Sequence, residues 1–137
     1  IMNNKYIIDS KGTKKYYNEI GQLHREDGPA IEYTNGDKQW WLNDKLHREA
    51  EPAVEYFNGN KIWCKNGKLH REEGPAVEHA SGQKEWYKNG LYHREDGPAI
   101  EYARGNKAWY LSGKCYGRSD DFTNESWIKF IKTLIFI

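Results

Sequence analysis

Apolar residues in this chain come in short alternating bursts, with no helical periodicity before the C-terminal end. In residues 30–41, Ala-Ile-Glu-Tyr-Thr-Asn-Gly-Asp-Lys-Gln-Trp-Trp, two strand-like runs flank Asn35-Gly36. Asn-Gly between such runs is a hairpin signal, because the tight turn needs positive φ. A two-residue turn there would pair Tyr33 with Lys38, Glu32 with Gln39 and Ile31 with Trp40. Ile31 and Trp40 would then share a face, as would Val54/Trp63, Val77/Trp86 and Ile100/Trp109. This cross-strand pair is the expected core contact, worth ~0.2–1 kcal/mol beyond burial. The next position holds Trp41, Cys64, Tyr87 and Tyr110, which strand alternation directs to the opposite face. A second turn is expected at Asn43-Asp44, Asn66-Gly67, Asn89-Gly90 and Ser112-Gly113.

The pattern is periodic. His24, His47, His70 and His93 lie 23 residues apart, as do Pro29, Pro52, Pro75 and Pro98. A fixed period of this size means an array in which each unit packs on its neighbours. The array is expected over residues 1–118, as a degenerate half-unit (5–22) followed by four units. In the half-unit Gly12, Lys14, Tyr16 and Tyr17 match Gly36, Lys38, Trp40 and Trp41 at an offset of 24, the extra residue lying in the turn Asn-Glu-Ile-Gly-Gln. Residues 119–137 read as an amphipathic helix started by Asp120, Asp121 or Thr123, with an apolar stripe of Trp127, Ile128, Ile131, Leu134 and Ile135. Laid over the last unit, it would cap an exposed sheet edge. The alternative role is a docking helix for a partner. Its two lysines, Lys129 and Lys132, are too few for a membrane-surface helix. Ile1 ahead of Met2 reads as an addition before a natural start at Met2.

Composition fits a thin, aromatic-rich β structure. Leu, Ile, Val and Phe make up only 24 of 137 residues, while six Trp and ten Tyr supply apolar area. Lys plus Arg (21) nearly balances Asp plus Glu (20), so nucleic acid is not an expected partner, nor is an anionic membrane. No apolar run is long enough to span a bilayer, and no signal peptide is visible. Cys64 and Cys115 occupy non-equivalent positions and read as free thiols in a reducing, cytoplasmic compartment, although sequence leaves a disulfide between them open.

The connector His-Arg-Glu-Asp-Gly-Pro, residues 24–29, holds candidate chemistry: imidazole, guanidinium and two carboxylates in a row. A repeat displays such residues at successive points rather than drawing them together. With two sheet strands per unit, equivalent residues would lie ~10 Å apart, twice the ~4.8 Å strand spacing. One zinc needs its His nitrogens at ~2.0–2.1 Å. No metal, cofactor or catalytic residue is therefore expected. The structural reading has Arg25 and Glu26 pairing with opposite charges of neighbouring units and His24 donating to the following turn. The second unit replaces Asp27-Gly28 by Ala50-Glu51, which implies ordinary dihedrals at the glycine position.

The Asn-Gly hairpins, the register Tyr-x-Asn-Gly-x-Lys-x-Trp-Tyr-x-Asn-Gly-x-Leu-His (residues 33–47, 56–70, 79–93 and 102–116, with departures) and the His-Arg-Glu-Asp-Gly-Pro-Ala connector resemble the MORN-repeat variant family. The resemblance covers about residues 5–118. It implies an elongated, twisted antiparallel array of β-hairpins used as a scaffold or binding surface, with no catalytic residue to carry over. The connector resembles that of bacteriophage and large DNA virus proteins and of bacterial antitoxins, implying a viral or phage accessory protein in the host cytoplasm, or an antitoxin-like inhibitor. The leading expectation is a non-enzymatic scaffold or protein-binding module. Its candidate contact residues are Trp41, Tyr87 and Tyr110, with the glutamates Glu32, Glu55, Glu78 and Glu101. Self-association through an array end or the C-terminal helix is a further expectation. A carbohydrate-binding repeat is the alternative, because Trp-Tyr-Lys-Asn-Gly resembles the aromatic-plus-turn units of cell-wall-binding repeats.

Overall fold

The computed structural model describes residues 5–135. Ile1 and Met2 lie outside them, as does the side chain of Ile135. The fold is mainly β: seventeen short strands in antiparallel hairpins, a 3-10 turn and one C-terminal helix among the described residues. Residues Ile1–Leu69 and His70–Ile137 form two compact units, dividing what the period reads as one array.

In the first unit, β1 (Lys5–Ile8) pairs with β2 (Lys14–Tyr17). The strands Ile31–Glu32, Lys38–Gln39, Val54–Glu55 and Lys61–Ile62 follow in the same sheet, in chain order. In the second unit, Val77–Glu78, Lys84–Glu85, Ile100–Glu101, Lys107–Leu111 and Lys114–Arg118 do likewise. Between sheet hairpins sit separate two-stranded ones, such as Trp41–Leu42 with Lys45–Leu46 and Tyr87–Lys88 with Leu91–Tyr92.

The tryptophan ahead of each small hairpin interrupts the strand. The Trp40 N–H donates to the Ala53 carbonyl, while its own carbonyl accepts from His47 N–H. Trp86 repeats both bonds with Ala99 and His93. One residue thus ties the sheet to the small hairpin, so these repeats hold two very short hairpins, whereas in the last repeat Lys107–Leu111 runs unbroken through Trp109 and pairs with Lys114–Arg118. The half-unit follows the same plan: Tyr16 N–H donates to Ala30, and Tyr17 bridges to Leu23 across the longer turn.

The first-hairpin register differs by one residue from the expected one. Ile31 lies opposite Gln39, not Trp40, and Glu32 opposite Lys38. The loop is closed by Tyr33 N–H donating to the Asp37 carbonyl, which leaves three residues in it. The Asn35 side chain accepts from Asp37 N–H and stabilises this wider loop, with Gly36 taking φ of 99°. The second turns hold as expected: Asn66 and Gly67 have φ of 51° and 80°, and Asn43 and Asp44 have 49° and 65°.

The core is a ladder of small and branched residues. Ala30, Ala53, Ala76 and Ala99 are fully enclosed, each followed by buried Ile31, Val54, Val77 or Ile100. Trp63 and Trp109 are buried, whereas Trp40 and Trp86 are half-buried. At the C-terminal end, helix α1 (Asn124–Ile135) is capped by Thr123, whose Oγ1 accepts from Ser126 N–H. Trp127, with no exposed surface, packs on Trp109, Tyr116 and Phe122 and donates from Nε1 to the Arg94 carbonyl. Phe130 packs on Tyr116 and Phe122. The anchor is therefore Trp127 with Phe130; Ile128, expected in the buried stripe, is exposed because it lies off that face.

Candidate functional site

Each connector uses its charged side chains on the fold itself. The histidine Nδ1 accepts from a backbone N–H of the next small turn: Asn43 to His24, Asn66 to His47, Asn89 to His70 and Ser112 to His93, all at 3.0 Å. The imidazole is thus an acceptor where the sequence suggested a donor, because the turn amide points at it. Nε2 faces the glutamate two residues on, as in His47–Glu49 at 2.8 Å and His70–Glu72 at 2.6 Å.

The arginine closes the connector. Arg94 donates from Nε to Asp96 (2.8 Å) and from Nη1 to the Pro98 carbonyl (3.1 Å) and Glu101 (3.2 Å). Its guanidinium lies 3.8 Å above the Trp86 ring. Arg48 repeats this set on Pro52, Glu55 and Trp40, and Arg25 lies over Tyr16. The expected pairing of Arg25 and Glu26 with neighbouring units is replaced by pairing inside the repeat: Glu26 faces His24, and Arg25 faces Asp27 and Glu32. The chain reversal at proline brings residues seven apart together.

The glycine of the connector lets the guanidinium approach. A Cβ on Gly97 would stand 2.7 Å from Arg94 Cζ, and one on Gly28 2.8 Å from Arg25 Cζ. Neither glycine has positive φ, in line with ordinary dihedrals there. The other two connectors depart: Gly74 takes φ of 112°, and Ala50 takes 61° beside Glu51. The Ala50-Glu51 connector thus carries its left-handed residue one place earlier than the Glu73-Gly74 connector, while the two Asp-Gly connectors have none at these positions.

In the second unit the connectors Arg71–Gly74 and His93–Asp96, with Trp86, Tyr87 and Lys88, line a cleft of about 690 Å³. Lys88 Nζ donates to the Arg71 and Glu72 carbonyls, at 3.0 and 2.8 Å. The exposed Glu72 carboxyl is held below the usual carboxylate range by hydrogen bonding from His70 and by Lys88. Glu72, Glu73, Glu95 and Asp96 give the cleft an acidic rim.

Behind the rim is a polar and aromatic cluster. Tyr87 stacks on Tyr92 at 4.3 Å, and Tyr92 lies 5.0 Å from Tyr110. Buried Glu85 accepts from Tyr92 (2.8 Å) and Tyr87 (3.2 Å) and meets His79 Nε2. Burial pushes the Glu85 carboxyl up, but hydrogen bonds from His79, Tyr92 and Tyr87 outweigh it and hold it below the ordinary value. Burial raises the phenols of Tyr87 and Tyr92. His79 and Glu85 stand where the other repeats carry Tyr33, Tyr56, Tyr102 and Gln39, Ile62, Ala108, and that departure was the sequence signal for this cluster.

Of the expected contact residues, Tyr87 lines the cleft and Tyr110 lies behind it through Tyr92. Trp41, in the first unit, is half-buried with Nε1 on Gln39. The glutamates Glu32, Glu55, Glu78 and Glu101 keep 35–38% of their side chains exposed, each facing the arginine seven residues earlier. Cys64 and Cys115 are free thiols. Among the described residues no three His, Cys, Asp or Glu side chains converge as a metal site, and no helix is long and apolar enough to cross a membrane. Compared with known proteins, the chain matches no family model and no curated protein.

Proposed function

We propose that the protein is a non-enzymatic binding module whose contact surface is the acid-rimmed cleft of the second unit. One observation supports this most directly. Imidazole and guanidinium groups of the connectors are engaged in the same structural bonds in repeat after repeat, and the rim carboxylates that pair with them, Glu72, Glu95 and Asp96, still keep 73–79% of their side chains exposed to solvent. An aromatic floor at Trp86 and Tyr87 under an acidic rim suits a protein segment carrying Lys or Arg, the rim steering and the rings anchoring. The resemblance to MORN-type repeats implies the same class of role, in a viral or phage accessory protein acting on a host protein or in an antitoxin-like inhibitor.

Protein contact is favoured over sugar because the rim is charged: its carboxylates attract Lys or Arg side chains and offer a neutral sugar no such steering. The test is affinity capture from host lysate with wild type and with Glu73→Lys/Glu95→Lys. Partners that bind wild type are lost by the variant and released by salt. Equal capture by a folded variant overturns the proposal, and so does a set of partners with no basic segment.

A further inference from the structure

We infer that β1 pairs edge to edge with β1 of a second copy, making a two-fold dimer through the first unit. This surface is independent of the acid-rimmed cleft. β2 covers one edge of β1, and no other strand among the described residues pairs with it. Exposed apolar edge strands are usually shortened, charged or covered, because their free backbone groups template another strand. β1 instead presents Tyr6, Ile7 and Ile8, with the isoleucines 64% and 59% exposed.

Hydrogen-bond phase fixes which groups face outward. Asp9 N–H donates to the Thr13 carbonyl, so the alternation of an antiparallel pair bonds Ile7 and Lys5 to β2 as well. The N–H and C=O groups of Tyr6 and Ile8 therefore point to the open edge. β2 agrees with this phase, since Tyr16 N–H turns away to Ala30.

Only registers that set outward groups against outward groups are possible. Tyr6 opposite Tyr6, or Ile8 opposite Ile8, leaves the other residue at the end of the ladder. Tyr6 opposite Ile8 of the second copy uses all of them. That register puts Ile7 against Ile7 on the two-fold axis as a non-hydrogen-bonded pair. It also sets Lys5 opposite Asp9 at both ends, an opposite-charge cross-strand pair. Asp9 uses Oδ1 for the amides of Lys11 and Thr13, which leaves Oδ2 for the lysine. Lys-Tyr-Ile-Ile-Asp is thus self-complementary when read antiparallel, so the occupant is a second copy (an isologous contact).

Sedimentation equilibrium up to millimolar chain is expected to give twice the 16.1 kDa mass of one chain. Ile7→Lys and Ile7→Glu, each placing like charges on the axis, are expected to halve that mass. Mixing them restores the dimer. Residue 7 is exposed, so both variants keep the wild-type circular dichroism. With Cys115→Ser as background, Ile7→Cys is expected to form an intermolecular disulfide under oxidised glutathione, since non-hydrogen-bonded pairs place Cα atoms ~4.5 Å apart. A monomeric wild type at every concentration overturns the inference, as does a folded Ile7→Lys that still dimerises or charge-swapped variants that fail to mix.

Discussion

Replacing Gly97 by alanine tests the connector design, because two effects of opposite sign meet there. Gly97 has no positive φ, so alanine meets no left-handed strain and, by restricting the unfolded chain, would stabilise by ~0.4–1 kcal/mol. Against this, the new Cβ would stand 2.7 Å from Arg94 Cζ and 2.9 Å from Nη1, the nitrogen that bonds Pro98 and Glu101. The guanidinium must shift and weaken those bonds. A hydrogen bond to a charged group contributes ~1.5–3 kcal/mol, and the Glu101 part is discounted for its 38% exposure. Partial loss of the set gives a net destabilisation of ~1–2 kcal/mol. In an Arg94→Met background the obstacle is gone, and the same substitution is expected to stabilise. Urea denaturation of the four proteins, with amide exchange to localise the change, reads the cycle. An unchanged sign for Gly97→Ala in the two backgrounds would refute the steric argument. At Gly74, where φ is 112°, alanine is expected to destabilise in either background.

Glu85 has a lowered pKa in the folded state, so it stabilises above the unfolded carboxylate value and that contribution is lost as pH falls through the folded value, below 4.5. Glu85→Gln should flatten the acid limb of the stability curve for the second unit, measured by urea midpoints; an unaltered limb counts against the cluster. Burial pushes the Cys64 thiol up to about 11, while Cys115 is exposed. Ellman's reagent at neutral pH should therefore titrate one thiol in the native protein and two in denaturant; two fast thiols in the native state would contradict the burial. Trp127→Ala removes a fully buried ring and the donor to the Arg94 carbonyl, and should cost ~3–5 kcal/mol and release α1, seen as lost helical circular dichroism and fast exchange of its amides. Retention of the helix signal would show that Phe130 suffices as anchor.

The sequence conveys the repeat and its small turns because those depend on local chemistry. Asn66-Gly67 and Asn89-Gly90 need positive φ at both positions, and few residue pairs supply it. The first hairpin was harder because the same dipeptide serves a different loop. At Asn35-Gly36 backbone groups of Tyr33 and Asp37 close a three-residue loop, as Asn60, Gln83 and Asn106 do in the other repeats, and nothing in an Asn-Gly signal announces that. The arginine–glutamate pairs were hidden for another reason. Seven residues separate Arg94 from Glu101, a spacing that means contact only once the chain has reversed at Pro98. Of the residues that line the cleft, Tyr87 was legible as an aromatic in a variable slot. The rim carboxylates were not, because they sit in a motif whose periodicity reads as structure.

The histidine bond to the next turn gives the chain a grammar of lengths. Each acceptor meets its donor nineteen positions later, and an equivalent donor waits in every following repeat. A deletion running from one histidine to just before the next, such as residues 47–69, leaves Leu46 joined to His70 with every connector still reading a complete turn. A deletion inside one of these nineteen-residue spans that is not a whole number of periods strands an imidazole opposite the wrong atom. Gain or loss of a whole period is thereby the length change the fold accepts most readily, so the number of repeats can change without rewriting any of them.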